Sequence, residues 1–351
     1  MIHLVKVFRD IFNYYLLKKK ESDFSVGFFC ENNYIFEYLK PYIINKCKKK
    51  KVLLISFEKL NFEETNKIKI YIFYTKFFRE LVFLTLKLDY LYSSTTDLGQ
   101  TIFRRSKSSK CKYIFLQHSP VSLTMIYNSN AFDLFDAVQA VNTYQFEEMK
   151  EMKIKRNLKT KVFKGKYLFL SEYTSKNYKS NTYEADLLIA PSWNSNFYQL
   201  NCHLQLKYLL EKNNINYILR PHPMSLKKKE IYLNDLKKNN IQFDISHKVN
   251  LNNFRFLISD WSGIFIEFAI ISKRKAFLIN TRKKILNKNY SVYKNIPMEI
   301  STRNILAKTY ETNELENLVK ELKNKKDNFN NFLISLEDEN IKKKVKESFY
   351  I

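Results

Sequence analysis

Four short stretches of this chain set reactive or hydrogen-bonding side chains directly after apolar runs. Gln117-His118-Ser119-Pro120 closes the run 113–117, and Ala190-Pro191-Ser192-Trp193 closes 186–190. Arg220-Pro221-His222-Pro223 closes 215–219, and Asp260-Trp261-Ser262-Gly263 closes 256–259. Apolar runs of this length read as strands, and in open α/β sheets ligands sit outside the carboxyl ends of strands. Flanking prolines hold Arg220 and His222 on an extended, stiff backbone. A guanidinium fork and an imidazole aimed from such a loop suit phosphate oxygens. Ser262 and Gly263 stand where a helix should begin, and free N–H groups with the helix dipole favour an anion there. Glu267 lies one turn further on, within reach of a ribose diol. His118 at a strand end can take a proton from an attacking hydroxyl. Each motif also has a plain reading: a structural histidine, an exposed arginine on a turn, an ordinary capped helix. His3, His203 and His247 have no comparable setting.

The elements that must carry these residues alternate. A helix over 1–20 has Leu4, Val7, Phe8, Ile11, Phe12, Tyr15 and Leu16 at helical spacing, with Lys6, Arg9 and Lys18 to Lys20 as charges. It is either an amphipathic helix packed on the domain or an interfacial helix on an anionic leaflet. Residues 76–88 form a second candidate of the same kind. Strands are expected at 24–30, 51–57, 68–74, 113–117 and 135–142, with helices at 34–46 and 144–152. The polar stretch 171–184 reads as a linker. Beyond it come strands at 186–190, 215–219, 256–259 and 276–279, helices at 201–213, 227–239 and 263–272, and a charged helical end over 312–350. Two consecutive α/β halves across a polar hinge imply two lobes with largely parallel sheets and a cleft between them.

Composition narrows the function. The 351 residues hold 60 Lys and Arg against 35 Asp and Glu, a net charge of +25 that favours phosphate-rich ligands or an anionic membrane face. A solvated lysine surface accounts for part of this charge. With 4 Gly, no GxxxxGK[ST] or GxGxxG loop is present. Cys30, Cys47, Cys111 and Cys202 are far apart, unlike a zinc site or a disulfide framework, which fits a reducing cytoplasmic setting. No cleavable leader is visible and no uncharged run approaches the ~18 residues that span a bilayer. Lysines are scattered and no RNP-like, KH or helix-turn-helix pattern occurs, so no nucleic-acid partner is expected.

Asp186–Trp193 (DLLIAPSW), Ile218–Pro223 (ILRPHP), Leu257–Ala269 (LISDWSGIFIEFA) and Ala276–Ile279 resemble the carboxyl-terminal half of the CDP-glycerol glycerophosphotransferases, the teichoic-acid polymerases and primases. Gln117-His118 followed by Asp136–Asn142 is similar to that family's amino-terminal histidine motif. The likeness covers about 113–145 and 186–310; Ser119 replaces a usual Gly, and Trp261-Ser262-Gly263 a usual Tyr-Ser-Ser.

The resemblance implies a GT-B-like α/β fold, and with the pattern of elements the chain divides into a basic amphipathic helix over 1–23, a Rossmann-like acceptor lobe over 24–175, a Rossmann-like donor lobe over 184–311, and C-terminal helices over 312–351 that pack back. It implies that His118 activates an acceptor hydroxyl and that His222 acts with Arg220 on the donor diphosphate. Ser192, Asp260, Ser262, Gly263 and Glu267 would complete the donor site. The implied reaction moves glycerol- or ribitol-phosphate from a CDP-activated donor to a hydroxyl of a surface-glycan or lipid-linked acceptor and releases CMP. No cofactor is implied, and no DxD motif is present for a metal. The enzyme would work in the cytoplasm, peripheral to the inner face of the plasma membrane. A GT-B glycosyltransferase that uses CMP-Kdo, CMP-sialic acid or a UDP-sugar for surface polysaccharide is the alternative.

Overall fold

A computed structural model describes residues 2–106, 110–174, 183–327 and 348–350. The first sheet holds β1 (Val26–Cys30), β2 (Val52–Ser56), β3 (Ile68–Ile72), β4 (Tyr90–Ser93), β5 (Lys112–Phe115), β6 (Ala137–Ala140) and β7 (Lys161–Lys164). The second holds β8 (Ala185–Ile189), β9 (Tyr217–Leu219), β10 (Phe254–Ser259), β11 (Ala276–Ile279) and β12 (Ala307–Tyr310). Every paired strand in both sheets is parallel. That explains the near-continuous apolar runs of β1, β2 and β8, which are buried along their whole length: helices cover both faces.

Strand order places the ligand crevice. The first sheet runs β3-β2-β1-β4-β5-β6-β7, so its order reverses between β1 and β4. The second runs β12-β11-β10-β8-β9, with its reversal between β8 and β10. Crevices open outside the carboxyl ends at such points. Both sheets turn those ends toward a common cleft, where residues following β1, β4, β5, β8, β9 and β10 meet. Two Rossmann-like lobes facing across a cleft are the GT-B arrangement.

The helices are α1 (Ile2–Lys20), α2 (Asn33–Cys47), α3 (Lys76–Thr85), α4 (Thr143–Arg156), α5 (Leu168–Thr174), α6 (Cys202–Lys212), α7 (Pro223–Lys227), α8 (Leu233–Lys238), α9 (Ile264–Ser272), α10 (Met298–Ser301), α11 (Arg303–Leu306) and α12 (Leu315–Asp327). Asn32 caps α2 by accepting from the Ile35 N–H, and Asn142 caps α4 by accepting from the Gln145 N–H.

Several expected elements differ. The helix expected over 227–239 is split into α7 and α8, because Lys229 adopts a left-handed φ of 58° that a helix interior cannot hold. The expected linker 171–184 begins as helix: α5 runs to Thr174 and packs its apolar residues against α2 and α9, while 175–182 lie outside the described residues. The helical end expected over 312–350 is seen as α12, which packs on α6; 328–347 lie outside the described residues. The chain end does return to the first lobe, where the Tyr350 N–H donates to the Val141 carbonyl at 3.0 Å.

Helix α1 has one packed face and one exposed apolar face. One face is packed: buried Asp10 accepts from the N–H groups of Tyr74 and Thr75 and from the Thr75 hydroxyl, at 2.6–2.8 Å, and so holds the start of α3. The opposite face leaves Leu4, Val5, Phe8, Ile11, Phe12 and Tyr15 exposed, beside exposed Phe77 and Leu84 of α3. No helix among the described residues is long and apolar enough to cross a membrane.

Candidate active site in the cleft between the lobes

The cleft encloses about 500 Å³ and is walled by both lobes. His118, Arg220, His222, Ser262, Gly263 and Glu267 all line it. Residues up to 149 apart in sequence (His118 to Glu267) thus converge because six strand ends open onto one space.

His118 follows β5 and is half-buried. Its backbone is fixed from several sides. The Gln117 side chain donates to the Gln139 carbonyl at 3.0 Å, the Ser94 hydroxyl to the Leu116 carbonyl at 2.6 Å, and the Tyr167 hydroxyl stands 2.9 Å from the His118 carbonyl. Burial, then the positive charge of Lys284, pushes its imidazole down to about 4. The ring is therefore neutral at pH 7 and can accept a proton.

His222 caps α7 with its own ring: Nδ1 accepts from the Met224 N–H at 3.1 Å. Burial, then Lys284, His118 and Arg220, holds this imidazole well below its ordinary value. With Nδ1 occupied as an acceptor, the neutral ring carries its proton on Nε2, which makes that atom a hydrogen-bond donor. The two histidines thus differ in setting: among the described residues no hydrogen-bond partner meets the buried Nδ1 of His118, whereas His222 is locked in one tautomer.

The remaining residues separate into those that face the cleft and those that build its wall. Ser192 and Asp260, expected on the donor, are fully buried and absent from the cleft lining. Their reason is local: Asp260 Oδ1 accepts from the N–H groups of Ser192 and Trp261, at 2.7 and 2.6 Å, and so ties the ends of β8 and β10 together. That placement differs from the one expected: both stand in the wall behind the cleft. Arg220 lines the cleft but is already committed, with its guanidinium bonded to Asp244 and to the Ser246 carbonyl and hydroxyl. Trp261 is likewise structural, donating from its indole N–H to the Thr281 carbonyl at 2.9 Å.

Gly263 lines the cleft and also makes room for the other lobe. A Cβ there would stand 2.6 Å from both Ser119 Oγ and Val121 Cγ1 of the other lobe, so the space is taken by the interlobe contact. Its φ of −61° suits any residue, which makes the constraint purely steric. Gly263→Ala is expected to wedge the lobes apart at the tip of α9 and to cost about 1–3 kcal/mol. Thermal unfolding of the variant checks this; an unchanged midpoint would contradict it.

The loop that follows His118 is gripped by two buried carboxyls. Glu148 accepts from the Ser122 hydroxyl and the Leu123 N–H, each at 2.6 Å, and Glu299 of the other lobe accepts from the Ser122 N–H at 3.1 Å. Burial raises Glu148 to about 8 and Glu299 to about 7. Asn287 adds a second tie between lobes by donating to the Thr124 carbonyl at 2.8 Å.

Sequence reasoning missed several cleft residues. Tyr34 and Tyr38 of α2, whose hydroxyls are 3.3 Å apart, line it beside His222 and His118. Glu31, Asn32 and 95–97 line it after β1 and β4. The strand-end rule that found His118 points to them too, once β4 is recognised. Lys284 also lines the cleft and carried no signal, being one lysine in a lysine-rich run.

No protein-family model and no curated protein matches this sequence. Solved structures do match in fold. A histidine-to-asparagine variant of the wall teichoic acid polymerase TagF, soaked with CDPG, aligns over 98% of this chain and 92% of its own at 14% identity and a TM-score of 0.57. The S. aureus MnaA–UDP co-structure aligns over 85% of this chain and 87% of its own at 12% identity and a TM-score of 0.52. A UDP-N-acetylglucosamine 2-epimerase from Rickettsia bellii aligns over 92% and 98%, at 14% identity and a TM-score of 0.50. These likenesses establish the GT-B fold.

Proposed function

We propose that this protein is a transferase that moves a polyol phosphate from a CDP-activated donor to a hydroxyl of a glycan or lipid-linked acceptor, with release of CMP. The observation that carries the reading is the meeting of two unlike neutral histidines, one from each lobe, across a cavity of about 500 Å³ that also contains the tip of α9. His118 takes the proton of the acceptor hydroxyl as its oxygen attacks the distal phosphorus. The bond from that phosphorus to the bridging oxygen breaks, and CMP leaves with the electron pair. His222 Nε2–H and the amides at the start of α9 stabilise charge on the phosphoryl oxygens. The negative donor beside His118 raises its proton affinity, so the base gains strength as the cleft fills.

The test is to incubate the protein with CDP-glycerol, CDP-ribitol, CMP-Kdo and UDP-sugars and to follow nucleotide release. CMP from a CDP-polyol, dependent on an acceptor, is the expected result. Release confined to CMP-Kdo or a UDP-sugar would overturn this reading in favour of a sugar transferase, the alternative that the fold match to a UDP complex supports.

A lipid-linked acceptor implies work at a membrane surface, and α1 supports it. Leu4, Phe8, Phe12 and Tyr15 are each 61–67% exposed on one face, flanked by exposed Lys6, Lys19 and Lys20. Such a face lies in the boundary of an anionic leaflet. Phe8→Asp combined with Phe12→Asp is expected to lower co-sedimentation with phosphatidylglycerol vesicles about tenfold or more, while the melting temperature holds. Equal binding by the variant would remove α1 from the membrane contact.

A further inference from the structure

We infer that Lys284 is the cation that receives the donor's diphosphate, the charge role that sequence motifs assign to Arg220. The inference rests on the nucleotide-donor reading above and deepens it. Arg220 enters the cleft with its charge answered by Asp244 and with both terminal nitrogens spent on Asp244 and Ser246. Lys284 is the opposite case. It follows β11, is only 7% exposed, lines the cleft and forms no ion pair or hydrogen bond among the described residues. Its ammonium lies over the face of the Trp193 ring, 4.9 Å from the ring centre.

A buried ammonium without a carboxylate is costly, and folds keep one where an anion arrives. The position fits a diphosphate. Its charge acts on His118 from one lobe and on His222 from the other, so it stands within electrostatic reach of both reacting ends of the cleft. Burial is also the leading influence that lowers Lys284 itself, to about 8, with Asp260, Glu299 and Glu230 only partly opposing it. A dianionic ligand supplies what those carboxylates do not: contact.

Isothermal titration of wild type, Lys284→Met and Lys284→Arg tests the assignment, with CDP, UDP and GDP each set against its nucleoside. Lys284→Met is expected to weaken the best-bound diphosphate about 10- to 100-fold, as loss of a charged hydrogen bond does. It should leave the nucleoside unchanged, and its own melting temperature should equal or exceed that of wild type. Lys284→Arg should restore most of the affinity. If Lys284→Met binds the diphosphate as well as wild type does, or loses the nucleoside to the same degree, the inference fails while the donor reading stands. If wild type binds none of the three diphosphates, the donor reading itself fails.

Discussion

Replacing His118 with alanine should lower transfer about 10²- to 10⁴-fold, the usual contribution of a positioned general base. Donor affinity should change little, because the ring is assigned to the acceptor. The fold should survive: the bonds that fix this segment go to the His118 carbonyl and to Gln117, neither of which the substitution removes. The pH profile gives an independent check. In the empty cleft the imidazole loses its proton at about 4 and Lys284 at about 8. The profile of kcat/KM, which reports free-enzyme groups, should therefore fall below pH about 4 as His118 becomes protonated and above about 8 as Lys284 becomes neutral. The acid limb of kcat should lie at higher pH, because bound phosphate raises the base. His118→Ala should lose the acid limb. Turnover within tenfold of wild type, with the acid limb intact, would remove His118 from the chemistry.

What could be read in the sequence follows from where apolar runs end. Parallel strands buried on both faces give continuous runs, so β1, β2, β8 and β10 and the polar residues after them stand out. Ser262 stands out in this way after β10, His222 after the equally buried β9, and His118 after the apolar run 113–117. Strands that lack the pattern were not found. β7 reads Lys-Val-Phe-Lys because it is an exposed edge, and β12 reads Ala-Lys-Thr-Tyr for the same reason. β4 is central but only four residues long, and without it the polar residues 94–97 had no strand to follow. Burial of a charge is a third kind of blindness: Lys284 looks like its neighbours Lys283 and Lys288 until the fold closes over it. Ser192 and Asp260 differ in the other direction. They occupy strand ends, as a ligand residue would, yet their hydrogen bonds to each other's segment use them in the wall.

Glu267→Gln should preserve the site where Glu267→Ala does not, because proton counting requires a donor at this position. The Tyr167 hydroxyl stands 2.8 Å from Glu267 Oε1 and 2.9 Å from the His118 carbonyl, both of them acceptors if the carboxyl is ionised. Tyr167 has one proton. Both bonds form only when the carboxyl carries its own proton and donates to the tyrosine oxygen, leaving the tyrosine to donate to His118. Burial raises Glu267 to about 7, and the bond from Tyr167 opposes that rise only in part. The sign of the linkage follows. The folded state holds this proton more tightly than the unfolded chain, so the stabilisation is complete below pH about 4.5 and is lost as pH rises to about 7. The loss amounts to about 3 kcal/mol for a shift of this size. Histidines held neutral by burial act in the opposite sense, losing stability as pH falls, so the wild-type curve alone is ambiguous. The difference between wild type and Glu267→Gln isolates the carboxyl. Gln should be equal to or less stable than wild type at pH 4.5 and should gain on it by about 3 kcal/mol by pH 8, in urea unfolding at each pH. In Glu267→Ala the Tyr167 oxygen loses this partner, and the variant should be less stable than Gln at every pH by about 1–3 kcal/mol. A difference curve flat between pH 4.5 and 8 would mean that Glu267 is ionised throughout, and that the tyrosine abandons the His118 carbonyl, one of the bonds that fix this segment.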